Sequence, residues 1–220
     1  MKIALIGAGK TGAKVSELHR DTTIFNSANQ ATIEGLKTCD IIISFLPGDI
    51  FVDYIPMLIE AKIPVITGST GFEWKDEWIK EIHDKKLVWV RAHNFSLGMN
   101  IVKNMIETLS KARDLYTDAQ FSIHDIHHTM KVDSPSGTAL SWEKWLGTNA
   151  KITAERTGDV VGYHHLLMES PVEKIKITHE AIDRAIFAKG ALWAAEKAFK
   201  NMVPSGLNDF STIVNNHLKM

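Results

Sequence analysis

The sequence predicts an α/β protein: a doubly wound parallel sheet, plus a second α+β domain with a mixed or antiparallel sheet. Three observations carry this expectation. From Lys2 to Val90, short apolar runs alternate with helix-like segments, the rhythm of a parallel sheet covered on both faces. Gly7-Ala8-Gly9-Lys10-Thr11-Gly12, a G-x-G-x-x-G pattern, separates the first such run from the first helix. Beyond Ser96 the rhythm breaks, and strand-like stretches follow one another without helices between them.

Lys2 to Ile6 is nearly all apolar, as expected of a strand with no solvent face, and helix-like sequence runs from the glycines to about Arg20. Strand, glycine turn and helix are the context a dinucleotide fingerprint requires. Gly7 permits the tight turn, Gly9 lets backbone approach a pyrophosphate, and Gly12 lets the helix pack on the strand, which makes the sheet Rossmann-like. Gly9-Lys10-Thr11 also invites a phosphate-loop reading, but that motif needs a glycine five positions earlier, where Ala4 stands. The second strand, Thr22 to Asn26, ends without the acid that usually binds the ribose of NAD. Asn26-Ser27-Ala28-Asn29 offers neither carboxylate nor arginine, so NADPH and NADH both remain open.

Asp40 to Leu46 and Ile63 to Thr67 are further buried strands around a helix near Ile50 to Glu60. Trp74, Trp78 and Ile82 mark one face of the next helix, and Leu87 to Val90 is another strand. Pro47-Gly48, Thr67 to Gly71 and Ala92 to Phe95 fall at carboxyl ends of strands, where such sheets bind ligands. In the second module, Met99 to Ala112 reads as a helix with Ile101, Met105 and Leu109 on one stripe. Asp118 to His127 reads as a strand, and the helix after Gly137 carries Leu140, Trp145 and Leu146 as core or interface. Val160 to Met168 and Val172 to Ala181 are strands, and helix resumes near Gly190 to about Met202, packing back on the first module. The expected domains are 1–96 with 190–220 for the dinucleotide, and 97–189 for substrate and oligomerisation.

The chemistry concentrates between Asp125 and Ala139. His127, His128 and Lys131 precede a Ser-Pro-Ser-Gly-Thr turn that opens a helix, whose N–H groups and Ser136 or Thr138 hydroxyls make an anion site. Two imidazoles and an ammonium beside an anion cradle suit binding a carboxylate and moving protons near it. The same residues also read as a surface histidine pair and a plain cap.

Composition bounds the partners. Hydrophobic content of 45%, charge of 23% and a net charge of −1 over 220 residues describe an ordinary globular protein with no basic patch for nucleic acid or an anionic membrane. The longest largely apolar run, Ile41 to Leu46, cannot span a bilayer. The N-terminus enters a strand pattern without a leader layout, and the single Cys39 excludes an internal disulfide, so a cytoplasmic setting is expected. His124, His127, His128, His164 and His165 match no zinc spacing, and no metal is expected.

With the fingerprint upstream and His127-His-x-x-Lys-x-Asp-x-Pro-Ser-Gly-Thr-Ala139 downstream, the chain resembles the dihydrodipicolinate reductase family. Gly68-Ser69-Thr70, Ala92-His93-Asn94-Phe95, Arg156 to Gly162 and Ile177 to Ala191 resemble family segments in the same order, so the likeness covers essentially the whole chain. The chain is shorter than most members, trimmed between the fingerprint and Asp40. The resemblance implies reduction of a cyclic 2,6-dicarboxylate, 4-hydroxy-tetrahydrodipicolinate, to tetrahydrodipicolinate in lysine and diaminopimelate synthesis, by NADPH or NADH, in a homotetramer. It implies His127 as proton donor or acceptor, Lys131 as second proton donor, His128 as a substrate contact, and Gly137 with Thr138 as holders of one carboxylate. Gly7, Ala8, Gly9, Lys10, Thr11 and Gly12 would cradle the pyrophosphate. Gly68, Ser69 and Thr70, with Ala92, His93, Asn94 and Phe95, would lie along the nicotinamide half. The alternatives are another dehydrogenase on the same plan, such as an aspartate dehydrogenase, and a nucleotide sensor without catalysis. The presence of both His127 and Lys131 counts against the sensor.

Overall fold

The computed structural model describes residues 1–218, the side chain of Arg113 excepted, so the last two residues of the 190–220 stretch lie outside it. Along the chain run β1 (Ile3–Ile6), α1 (Lys10–Leu18), β2 (Thr22–Phe25), α2 (Ile33–Leu36), β3 (Ile41–Ser44), α3 (Gly48–Ala61), β4 (Val65–Thr67), α4 (Asp76–Asp84) and β5 (Val88–Arg91). Next come α5 (Leu97–Ala112), β6 (Gln120–His127), α6 (Gly137–Leu146), β7 (Lys151–Arg156), β8 (Gly162–Glu169) and β9 (Lys174–Ala181). The chain closes with α7 (Ala185–Phe199), β10 (Gly206–Asp209) and α8 (Phe210–Leu218). It forms two compact units: Met1–Leu97 with the chain from Arg184 onward, and Gly98–Asp183. The return to the first unit therefore begins at Arg184, ahead of Gly190 where the helical pattern was placed.

In the first unit all six strands are parallel, in the order β10-β5-β4-β3-β1-β2. Every residue of β1 and β3 is buried, which explains their nearly all-apolar runs, Ser44 excepted: with helices on both faces, no position alternates to solvent. On one face Val15 of α1 and the alanines Ala188, Ala191, Ala194, Ala195 and Ala198 of α7 pack with Ile3, Leu5, Ile41 and Ile43. On the other, α3 buries Phe51, Ile55, Leu58 and Ile59 with Trp89. Each large side chain so buried stabilises the fold by about 1.5–3 kcal/mol before entropy is counted. Strand order reverses between β1 and β3, placing a ligand crevice beyond their carboxyl ends.

The second unit is a mixed sheet in the order β7-β6-β8-β9. The β6–β7 pair, joined through α6, is parallel, and the other two pairs are antiparallel. Helices α5 and α6 cover one face, enclosing Val102, Ile106, Ile123, Trp142, Leu146, Leu166 and Met168. The other face of β6 and β8 carries Ser122, His124, Ile126, Tyr163, His165 and Leu167, all partly exposed.

Several local expectations are corrected. On α5, Ile101 and Met105 are each 48% exposed, and the buried stripe is Met99, Val102, Ile106 and Leu109. A repeat of four drifts around a 3.6-residue helix, whereas alternating three and four stays on one face. On α6 the fully buried ring is Trp142, while Leu140 faces solvent and Trp145 is half-buried. Trp74 lies before α4, its ring packed on Phe51, Phe72 and Trp89. Strand β7 was missed because Lys151, Glu155 and Arg156 mask its pattern at the sheet edge. Strand β10 was missed because four residues opened by Gly206 carry almost no periodic signal.

Candidate active site

Alternation along β6 turns Ile123, Asp125 and His127 to the helix-covered face. Asp125 is 0% exposed, and a buried carboxylate is tolerable only with partners. Its Oδ2 lies 2.8 Å from Nδ1 of His127 and 3.3 Å from Nη1 of Arg156, and Oδ1 accepts from the Ser136 amide at 3.5 Å. A carboxylate only accepts, so Nδ1 of His127 carries the hydrogen and Nε2 is the free nitrogen. Arg156 arrives through the parallel register of β6 and β7, which pairs it with His127. Its Nη2 also donates to the Asp133 carbonyl, tying β7 to the turn after β6.

His127 is 7% exposed. Burial lowers its pKa; the Asp125 hydrogen bond and charge oppose this, while Lys131 and Arg156 add to the lowering. His164 of β8 is 4% exposed, with its ring centroid 5.0 Å from that of His127 in an edge-on contact and 5.6 Å from that of Trp142. Burial, helped by the charge of a protonated His127, pushes His164 down to about 4, so it is a neutral imidazole near pH 7. Ser136 caps α6 by accepting from the Ala139 amide at 3.1 Å, and its Oγ lies 3.3 Å from Nε2 of His164.

Lys131 follows on the turn, its Nζ 2.8 Å from Oδ1 of Asp133. The other Asp133 oxygen accepts from the Gly137 amide at 3.4 Å. The Lys131 hydrogen bond holds the Asp133 carboxyl below the usual range. The start of α6 and Lys131 thus already share a carboxylate. Gly137 is exposed and Thr138 half-buried. His128 anchors the turn by donating its amide to the Val160 carbonyl at 2.7 Å.

The structure therefore joins His127 to Ser136 through Asp125, and Lys131 to Gly137 through Asp133. Sequence reasoning gave no role to Asp125, Arg156, Gly162 or His164. The Asp-x-His spacing on one strand face was a signal for the first; Arg156 depends on β7, which was not seen. Asp125, His127 and His164 also offer donor atoms within 4.8 Å of one another, the spacing of a metal site. The Arg156 guanidinium already supplies the positive charge that Asp125 faces, which opposes a second cation there.

In the first unit Gly7 adopts φ +91°, and a Cβ on Gly12 would stand 2.0 Å from the Gly7 carbonyl oxygen. Turn and helix touch backbone to backbone, which only glycine allows. A Cβ on Gly9 would meet nothing within 4 Å, and Gly9 brings no side chain to the start of the nine-residue α1. Unsatisfied N–H groups above an open glycine fit a pyrophosphate. Alongside lies a cavity of about 220 Å³ lined by Thr11, Phe45, Gly68, Ala92, His93, Asn94, Phe95 and Phe187. Ala8, Lys10 and Thr70 are exposed around this region, and Ser69 is buried with its amide donating to Oγ1 of Thr67 at 3.1 Å.

A family model described as dihydrodipicolinate reductase, C-terminus, matches residues 98–213, which hold the entire Asp125–His127–Lys131 cluster. The chain belongs to the dihydrodipicolinate reductase family. Among relatives from this family, the 4-hydroxy-tetrahydrodipicolinate reductase of Christiangramia forsetii is 33% identical over 89% of this chain and 91% of its own length. That of Clostridium tetani is 29% identical over 92% and 84%. The fold is shared with a dipicolinate-bound dihydrodipicolinate reductase from Paenisporosarcina sp. TG-14, at a TM-score of 0.76 and 15% identity, covering 95% of this chain and 97% of that one. An aspartate dehydrogenase from Thermotoga maritima is more distant, at a TM-score of 0.51 and 11% identity, covering 92% and 96%. The dihydrodipicolinate reductase resemblance read from the sequence is thereby upheld, as is the pairing of a Rossmann-like sheet with a second mixed sheet.

Proposed function

We propose that the protein reduces 4-hydroxy-tetrahydrodipicolinate to tetrahydrodipicolinate in lysine and diaminopimelate synthesis, using hydride from NADPH or NADH. The observation that carries this is the buried Asp125–His127 pair beside Lys131 and the start of α6, in a chain of this family. When bound, the nicotinamide supplies the hydride. The work of the second unit is charge and protons. A substrate carboxylate takes the place of Asp133 at the Gly137 amide and Lys131, with Thr138 and His128 beside them. Loss of water from the hydroxylated ring leaves a conjugated imine, and hydride addition makes one ring carbon electron-rich. His127 through Nε2, or Lys131 through Nζ, protonates that carbon, and its positive charge offsets the developing negative charge.

In the first unit the backbone from Gly7 to Gly12 cradles the pyrophosphate, and Gly68 to Thr70 with Ala92 to Phe95 line the nicotinamide half. The end of the second strand selects neither nucleotide over the other. The side-chain Oδ1 of Asn26 is turned into its own loop, accepting from the Ala28 and Asn29 amides at 2.9 Å each, and no carboxylate stands at this strand end to select a ribose diol or repel a 2′-phosphate. The partly exposed Ile126, Tyr163 and Leu167 on the open face of the second sheet support a homotetramer assembled through that face. None of the helices among the described residues is long and apolar enough to cross a membrane. We place the enzyme in the cytoplasm, with its single free Cys39.

The test is nucleotide oxidation with substrate generated in place from pyruvate and aspartate semialdehyde by a coupled synthase. Oxidation that depends on the synthase, with either nucleotide, is the expected result. Oxidation with another carbonyl substrate only would favour a different dehydrogenase, and binding without turnover would favour a sensor.

A further inference from the structure

We propose that Asp125 and Arg156 are a positioning pair for His127. Asp125 holds Nδ1–H so that Nε2 faces the reacting carbon, and Arg156 shares the aspartate's charge so that the imidazolium can release its proton. The proposal rests on reading His127 as a proton donor in the reduction.

The geometry separates the two tasks. Orientation comes from the 2.8 Å contact between Oδ2 and Nδ1, two residues apart on one strand face. Because Asp125 is fully buried, water cannot substitute for it. Charge sharing comes from Nη1 of Arg156, 3.3 Å from the same oxygen that His127 uses. A buried aspartate facing an imidazole alone favours the charged form and holds the proton back; an aspartate already paired with a guanidinium does so less. The groups around His127 come from every neighbouring element. They are Asp125 on β6, Arg156 on β7, His164 on β8 with His179 beyond it on β9, and Lys131 with Asp133 on the turn. Among them Asp125 is the only one that raises His127, and Arg156 and Lys131 push the other way.

Two variants pull the pair apart in opposite senses. In Asp125→Asn the carboxylate is lost, the His127 titration midpoint falls, and the Nδ1–H tautomer loses its lock. In Arg156→Gln the aspartate faces His127 alone and the midpoint rises. Both are read from imidazole nitrogen resonances of the full-length protein, assigned by the signal that vanishes in His127→Gln, so no activity is needed. Turnover with the synthase-generated substrate should fall by about 10²-fold in Asp125→Asn, the scale of a misaligned catalytic group. The alkaline limb of its pH profile should move to lower pH, and that of Arg156→Gln to higher pH. Midpoints that do not move, or that move the same way in both variants, overturn the pair. Midpoints that move oppositely while both activity limbs stay fixed overturn His127 as donor, the reading beneath the proposal. Should Asp125→Asn fail to fold, the upward shift in Arg156→Gln, or its absence, decides alone.

Discussion

Gly162 of β8 faces the free nitrogen of His127 so closely that a Cβ there would stand 3.2 Å from Nε2. The glycine keeps open the ring nitrogen that Asp125 does not hold. Gly162→Val should therefore cover Nε2 and lower turnover by roughly 10²-fold, while NADH affinity, measured by fluorescence titration of the nucleotide, stays unchanged. A valine variant as active as the parent would mean that Nε2 is not the working atom.

His127→Ala and Lys131→Ala each remove a proposed proton carrier from the second unit. Each should lower turnover by about 10²–10⁴-fold. The nucleotide's dissociation constant should hardly change in either, because its proposed cradle is built from first-unit backbone. Equal losses of nucleotide affinity in both variants would argue that these side chains act on the fold instead.

Acid should weaken the fold through His164. Unfolded, it titrates near the ordinary 6.5, and folded at about 4, so between those values the unfolded chain binds the extra proton. Stability is then fully present above pH 6.5, falls as pH drops toward 4, and levels below; the loss approaches ~3 kcal/mol at most. His127, His165 and His179 are also lowered and act in the same direction. Urea denaturation across this window should show the decline, and His164→Gln should flatten it. An unchanged slope in that variant would assign the acid sensitivity elsewhere.

Two glycines of the fingerprint should part company. A Cβ on Gly12 meets the Gly7 carbonyl at 2.0 Å, where neither backbone can give way without lifting α1, so Gly12→Ala should cost about 1–3 kcal/mol in a thermal melt. A Cβ on Gly9 meets nothing, so Gly9→Ala should melt like the parent and yet bind NADPH more weakly. Undiminished binding in Gly9→Ala would remove the pyrophosphate from that spot.

What the sequence showed follows from how each element is buried. Strands β1, β3 and β4 are covered on both faces, so they read as apolar runs, broken only by Ser44 and Thr67 at their ends. The glycines and the His127–Lys131 stretch were legible because their residues are contiguous. Strand β7 was hidden because an edge strand spends its positions on charge, and Arg156 was hidden with it. The stripe on α5 was misplaced because its exposed face also carries Ile101 and Met105, which blur the period. Asp125 was in view, but its role needed the strand parity and the arginine across the ladder.

Strand β6 is hydrogen-bonded on both sides, to β7 and to β8, and His127 is its last residue. Four residues further, Lys131 stands on a turn, joined to its neighbours chiefly by an ion pair with an exposed aspartate. The two proposed proton carriers thus belong to regions of unlike local stability. An interior strand moves only when the sheet does, and a turn opens at small cost. On the proposed roles, the imidazole would fix where in space the reaction happens, and the ammonium would follow a substrate's charge as it arrives. A change of substrate, by descent or by design, has latitude at the turn and almost none on the strand.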